Sequence, residues 1–229
     1  MRPRLPLGSL SLALFGLAAA VDLVSLAVGF GPGHVLAKPL LMPLLAVWAA
    51  LRGAPRPLVA ALLCGWGGDV LLLSDADPAF LAGMAAFAAG HVCYLVLFAR
   101  AGRPRARGAL LLVPCYATAL IAGVALLWPG LPPDLRLPVA VYSTLLTAMG
   151  CCAATRLGPV AGAGGALFLL SDTLIATGVA DWPQPPRPDL WIMLTYVAAQ
   201  FLLVIGTLGT LGGHRAGTSS YREVRSTTP

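Results

Sequence analysis

Asp172 and Asp69 stand where sequence long and apolar enough to cross a membrane should hold no charge. Asp172 follows Ser171 in the middle of Gly158–Ala180, GPVAGAGGALFLLSDTLIATGVA, and Asp69 lies in the run Leu58–Leu73. A carboxylate inside about 20 apolar residues costs at least about 2.5 kcal/mol to insert, so an intramembrane acid points to a site or a pathway. Two carboxyls in one low-dielectric cavity separate in character, one held protonated and one ionised, which makes an acid/base pair. The plainer alternative is that each acid pairs with Lys38 or an arginine and only locks helices together.

Other polar residues lie at comparable depth. Counted along a helix, Asp69 is about 6 Å, Asp172 about 12 Å and His91 about 18 Å from one common end of their helices. Lys38 and Asp22 lie near that end of the second and first runs, and Tyr142, Tyr196 and Gln200 enter from it on the sixth and eighth. One polar cavity in that half explains the gathering better than separate accidents. Lys38, the only lysine, is placed to hold a phosphate, to neutralise an aspartate, or simply to snorkel from a helix end. Phe80, Phe87, His91, Tyr94 and Phe98 recur on one helical face, read either as an aromatic seam with a hydrogen-bonded histidine or as catalytic. Asp22 reads as a near-surface structural acid. Gly158, Gly162 and Ala166 form a small-xxx-small track for close helix packing.

Several chemistries find no support. The histidines, His34, His91 and His214, have no paired spacing, and the cysteines, Cys64, Cys93, Cys115, Cys151 and Cys152, form no C-x-x-C. No metal site is expected, and the cysteines read as small buried packing residues. No Gly-x-Ser-x-Gly elbow occurs.

The elements that must position these residues follow from composition. The 229 residues are 58% hydrophobic and 10% charged, with mean hydropathy +0.84, where a soluble domain carries about 25% charged residues. The expectation is an all-α polytopic membrane protein, one bundle of eight transmembrane helices over residues 1–213, with a polar, disordered cytoplasmic tail over 214–229. The apolar runs are Gly8–Gly29, Val35–Leu51, Leu58–Leu73, Ala79–Ala99, Gly108–Trp128, Arg136–Thr155, Pro159–Ala180 and Asp189–Leu211, separated by Gly- and Pro-rich breaks. MRPR and Leu5–Ala20 resemble a signal peptide cut after Ala18–Ala20, but the run stays apolar to Phe30, so a retained helix is expected.

The net charge of +6 does not point to nucleic acid, because the arginines sit in short breaks between apolar runs. Alternating hairpins put Arg2, Arg4, Arg52, Arg56, Arg100, Arg103, Arg105, Arg107, Arg156, Arg215, Arg222 and Arg225 on one side. The other side receives only Arg136 and Arg187, with Asp75, Asp77, Asp134, Asp181 and Asp189. The positive-inside rule then places both termini in the cytoplasm. GGDVLLLSD at Gly67–Asp75 and GGALFLLSD at Gly164–Asp172 would fit a four-plus-four internal duplication, as would chance in Gly/Leu-rich sequence. That alignment pairs Asp172 with Asp75, which keeps Asp75 as a weaker candidate.

The motifs also occur in a familiar order: Lys38-Pro39 with Met42, Gly68-Asp69 with Leu71 and Leu72, and Phe80-x-x-Gly83-x-x-x-Phe87-x-x-x-His91-x-x-Tyr94. Gly165-Ala166-x-Phe168-x-x-Ser171-Asp172 follows, then Tyr196 and Gln200. From about Lys38 to Gly206 the chain resembles the YhhN-type lysoplasmalogenases. The resemblance implies a membrane hydrolase that cleaves the vinyl-ether bond of lysoplasmalogen to a fatty aldehyde and a glycerophospho-base, with no cofactor. Asp69 and Asp172 are then the catalytic acids, in either order. Lys38, His91, Tyr94, Tyr142, Ser171, Tyr196 and Gln200 are candidates for the lysophospholipid site, Lys38 for its phosphate. The rival readings are a small proton-coupled transporter using Asp69 and Asp172, and a non-catalytic scaffold. Neither acid-bearing helix has a proline near its acid, which argues against an unwound transport site.

Overall fold

The computed structural model describes residues 7–74, 76–101 and 106–226, with side chains over 7–74, 76–101 and 109–212. Among the described residues the chain forms eight α-helices and one π-helical turn. They are α1 Leu7–Val28, α2 Gly31–Leu51, α3 Arg56–Leu71, α4 Asp77–Arg100, α5 Ala106–Leu127, α6 Pro133–Cys152, the π segment Ala153–Leu157, α7 Pro159–Val179 and α8 Pro188–Ser226. Proline in the first turn opens α2, α3, α4, α6 and α7, where its missing N–H costs nothing and its fixed φ suits a helix. Gly53 follows α2 at φ +77°, and Gly158 separates the π segment from α7 at φ +100°, conformations that a side chain would strain.

The expected all-α bundle is therefore what the chain forms, with differences at particular ends. Helix α2 begins at Gly31 rather than Val35, because Pro32 can start it a turn earlier. The backbone of α8 stays helical through Ser226, where composition predicts disorder after Gly213. Extending an existing helix needs no new nucleus, so polar residues are added to it at little cost. By length and composition seven of the helices can cross a membrane. Helix α3, with 16 residues, is the shorter eighth. Asp75 and the arginines at 2, 4, 103 and 105 lie outside the described residues.

Packing neighbours run α1–α2–α3–α4–α6–α7–α8, and α8 returns to α1, while α5 lies outside this ring on α6 and the π segment. The core between the helices holds Leu41, Met42, Leu45, Leu62, Phe98, Met149 and Leu203, all without solvent exposure. Large apolar side chains also cover the outside, among them Leu36, Leu110, Leu111, Ile121 and Leu137. Helices apolar on both faces suit burial in lipid on one side and in the bundle on the other.

The closest helix contacts are not where the small-residue track predicts. Ala166 is exposed and Gly158 lies outside α7. Of the track only Gly162 makes a close contact, on Ala154 of the π segment, and the approaches to α6 and α8 run through Gly164 and Gly165. A Cβ on Gly164 would stand 2.8 Å from the backbone nitrogen of Leu203 in α8, and one on Gly165 2.7 Å from Gly150 Cα in α6. One small-xxx-small row faces one neighbour, whereas α7 sits between two and needs small residues on two adjoining faces. The cysteines also differ from expectation. All are free, Cys115 is exposed, and the other four are half-buried. As small apolar side chains they fit equally well against lipid.

Candidate functional site

Asp69 lies two residues from the end of α3, and Asp172 lies in the third turn from the end of α7. Both line one cavity, whose empty space, counted out to its mouth, is about 1070 Å³. Lys38, Tyr142, Ser171 and Tyr196 line it too. The bundle end bearing the α1–α2, α3–α4, α5–α6 and α7–α8 connections thus gathers the polar groups, and is called the site end below. Six of the nine residues singled out by the sequence reach one wall. The other three, His91, Tyr94 and Gln200, are buried behind it.

Each carboxylate receives a tyrosine hydroxyl, and each tyrosine is backed by a second donor. Tyr196 donates to Asp69 Oδ2 at 2.8 Å. Gln200 Nε2 donates to the Tyr196 oxygen at 3.4 Å, and Gln200 Oε1 accepts from Tyr94 at 2.7 Å. The chain Tyr94–Gln200–Tyr196 therefore carries every donor direction toward Asp69. On the other side Tyr142 donates to Asp172 Oδ2. His91 Nε2 lies 3.1 Å from the same tyrosine oxygen. With the tyrosine proton committed to Asp172, His91 must donate through Nε2, which leaves Nδ1 as the unprotonated nitrogen. That nitrogen is buried and has no partner among the described residues.

The rings around these groups hold them in place. Phe87, Phe168 and Tyr196 meet edge to face, with centroids 6.3, 5.8 and 5.4 Å apart. His91 stacks edge-on against Phe168 at 4.9 Å. Such contacts fix ring orientation as well as burying area. Gly68 makes room for this box, since a Cβ there would meet the Phe87 ring at 2.4 Å. The aromatic face of α4 is thus both a packing seam and the support of the site, and His91 belongs to it.

Lys38 is 8% exposed and reaches the cavity wall. It has no hydrogen bond or ion pair among the described residues. Its charge nonetheless acts on Asp69, and no cation among the described residues acts in the same way on Asp172. The two acids therefore differ: a cation and a three-residue donor chain face Asp69, and a tyrosine backed by a histidine faces Asp172. Ser171 spends its hydroxyl proton on the Ile192 carbonyl at 3.1 Å, tying α7 to α8 beside the acid. Among the described residues no group of three His, Cys, Asp or Glu stands close enough to hold a metal ion.

The sequence reading missed one polar pair. Asp22, taken as a near-surface acid, is fully buried, and its Oδ1 lies 2.7 Å from Nδ1 of His34. The early start of α2 carries His34 onto the helix across the short turn from α1. The signal was present in the two-residue break at Gly29-Phe30, which forces the facing ends of two helices together.

Comparison with known proteins adds a family. The family model described as the YhhN family matches residues 33–207. The lysoplasmalogenase TMEM86B of Sus scrofa is 39% identical over 178 residues, 75% of this chain and 75% of its own. That of Rattus norvegicus is 34% identical over 180 residues, 78% of this chain and 73% of its own. A protein of Mycobacterium bovis named lysoplasmalogenase is 34% identical over 216 residues, 83% of this chain and 80% of its own. No solved structure matches significantly.

Proposed function

The chain belongs to the YhhN family, and on that premise we propose that it is a membrane hydrolase acting on lysoplasmalogen. It is a lysoplasmalogenase-like enzyme, by its likeness over most of its length to relatives named for that activity. The observation that carries the chemistry is the pair of aspartates on one cavity wall, each hydrogen-bonded to a tyrosine.

Vinyl-ether hydrolysis needs a proton delivered to the β-carbon and water delivered to the α-carbon. We assign the proton to Asp172, on which no cation acts among the described residues. Its transfer makes an oxocarbenium ion, with the positive charge shared between the α-carbon and the ether oxygen. Asp69, faced by Lys38 and a donor chain that favour a carboxylate, stabilises that cation and takes a proton from the attacking water. In the collapse of the hemiacetal the C–O bond to glycerol breaks as Asp69, now protonated, gives its proton to the leaving oxygen, and Asp172, now ionised, takes the hydroxyl proton, which releases the aldehyde and restores both acids. Tyr142 and His91 hold the acid, and Tyr196, Gln200 and Tyr94 hold the base. Lys38 stands where the cavity can admit the lipid phosphate. No step draws on a metal or organic cofactor.

Orientation is part of the reading. Arg52, Arg56, Arg100 and Arg156 lie at the end of the bundle away from the site, and Asp77, Asp134, Asp181 and Asp189 lie at the site end. That partition supports cytoplasmic termini and a site in the outer half of a bacterial inner membrane. The test is aldehyde release from lysoplasmalogen by the purified protein in detergent. A fatty aldehyde appearing with a stoichiometric glycerophospho-base is the expected result. A transporter releases none, and that outcome removes the hydrolase reading.

A further inference from the structure

We propose that the cavity-facing side of α5, centred on Gly123, is the wall that measures the length of the lipid tail. This inference rests on the hydrolase reading and goes beyond it to substrate selection. Helix α5 contributes Ala119, Leu120, Gly123, Val124 and Leu127 to the cavity. At 100° per residue these positions form one helical face, and Gly123 lies near its middle.

Gly123 differs from the bundle's packing glycines. A Cβ on Gly68, Gly150, Gly162, Gly164, Gly165 or Gly206 would meet a neighbour within 3.0 Å, whereas one on Gly123 would meet nothing within 4 Å. Gly123 therefore leaves space that no helix fills. Gly16 and Gly209 are as open within their helices, but of the three only Gly123 lines the cavity, so its open space belongs to the cavity.

The rest of the cavity directs a tail toward this space. Its polar groups, Lys38, Asp69, Asp172, Tyr142 and Tyr196, come from α2, α3, α6, α7 and α8. Beside α5 the site end carries an apolar cluster of Leu127, Leu131, Val139 and Ala180, of which Leu127 and Val139 also line the cavity. There the α5–α6 turn is pressed onto α7 so closely that a Cβ on Gly130 would lie 2.6 Å from the Ala180 carbonyl oxygen. Helix α5 packs chiefly on α6 and the π segment, with Tyr116 against Gly150, and its Leu127 joins Ala176, Val179 and Ala180 in the apolar cluster. The side of α5 that bears Ala119, Leu120, Gly123 and Val124 borders the apolar chamber it shares with Leu169, Ala176 and Val179 of α7. With the vinyl ether at the carboxylates and the phosphate toward Lys38, the hydrocarbon extends across this chamber and along Gly123.

The experiment measures kcat/KM for lysoplasmalogens with alkenyl tails graded from decenyl to octadecenyl. Gly123→Leu should lower the ratio of octadecenyl to decenyl turnover at least about tenfold, because added methylenes then compete with the tail for the same space. Leu120→Ala should shift the profile the opposite way. An unchanged length profile in both variants overturns the proposal, and so does an equal loss on every tail by Gly123→Leu with no shift in Leu120→Ala. A wild-type protein that releases no aldehyde from any tail sinks the hydrolase reading instead. The tail wall is then decided by equilibrium binding of octadecyl and decyl lyso ether lipids. Selective loss of the octadecyl lipid in Gly123→Leu upholds it, and equal binding of both lipids by wild type and variant overturns it.

Discussion

The proposed mechanism needs both Asp172 and Asp69, and single substitutions test that need. Asn keeps the shape of either side chain but can neither give nor take the proton. General acid–base catalysis is worth about 10²–10⁴ in rate, so Asp172→Asn and Asp69→Asn should each lower turnover at least about a hundredfold while lysolipid still binds. Aldehyde release by each variant, with a folding check in detergent, decides this. Near-normal turnover by Asp172→Asn removes the two-carboxylate mechanism. Asp22 is fully buried and His34 is its one partner among the described residues. Removing one member of a buried pair costs about 3–5 kcal/mol, because the other is left uncompensated. His34→Ala should approach the lower end, since His34 itself is partly exposed. Replacing Asp22 with Asn in the same chain should recover part of the loss. Unfolding in detergent that is unaltered by His34→Ala would show that the pair holds nothing.

Helix α7 is the element on which the site turns. It carries Asp172 and Ser171, and it approaches α6 and α8 so closely that only glycine fits at positions 164 and 165. The prediction sorts the observed contacts from the spacing that the sequence suggests. Gly165→Val should destabilise the protein by about 1–3 kcal/mol through overpacking against backbone that cannot yield. Ala166→Val should be nearly neutral, since Ala166 is exposed. Thermal unfolding of the two variants compares them directly, and equal effects would mean that α7 packs through a different face. Displacing α7 also moves Asp172 away from Tyr142, so Gly165→Val should lose turnover out of proportion to its loss of stability.

For the molecule as a whole, orientation is the property to test. Reporter fusions at Gly102 and after Gly213 should report the cytoplasm, and fusions at Asp77 and Gln184 the opposite side. The result depends on α3 crossing the membrane with 16 residues. At 1.5 Å per residue that is about 24 Å, against a hydrocarbon core of about 30 Å. A reversed signal on one side of α3 alone would identify it as a segment that enters without crossing. The same shortness leaves Asp69 only two residues from the end of α3 at the site end.

Class, helix number and the presence of two carboxyls within apolar helices were legible in the sequence because each is a local property. Hydropathy and Gly/Pro breaks are set residue by residue, and a carboxylate in an apolar run is costly wherever the run finally packs. The ordered motifs from Lys38 to Gln200 identified the family for the same reason, since they name residue types at fixed spacings. What only the tertiary structure decided is who faces whom. Tyr196 meets Asp69 across 127 positions and Tyr142 meets Asp172 across 30. Asp22 finds His34 because a turn folds α1 onto α2. Ala166 points outward while Gly164 and Gly165 carry the packing, and Gly123 borders a cavity rather than a helix. Periodicity gives the faces of each helix but not the rotation of that helix against its neighbours. That rotation is set by the fit of all the side chains together, and it alone determined which polar groups became a site.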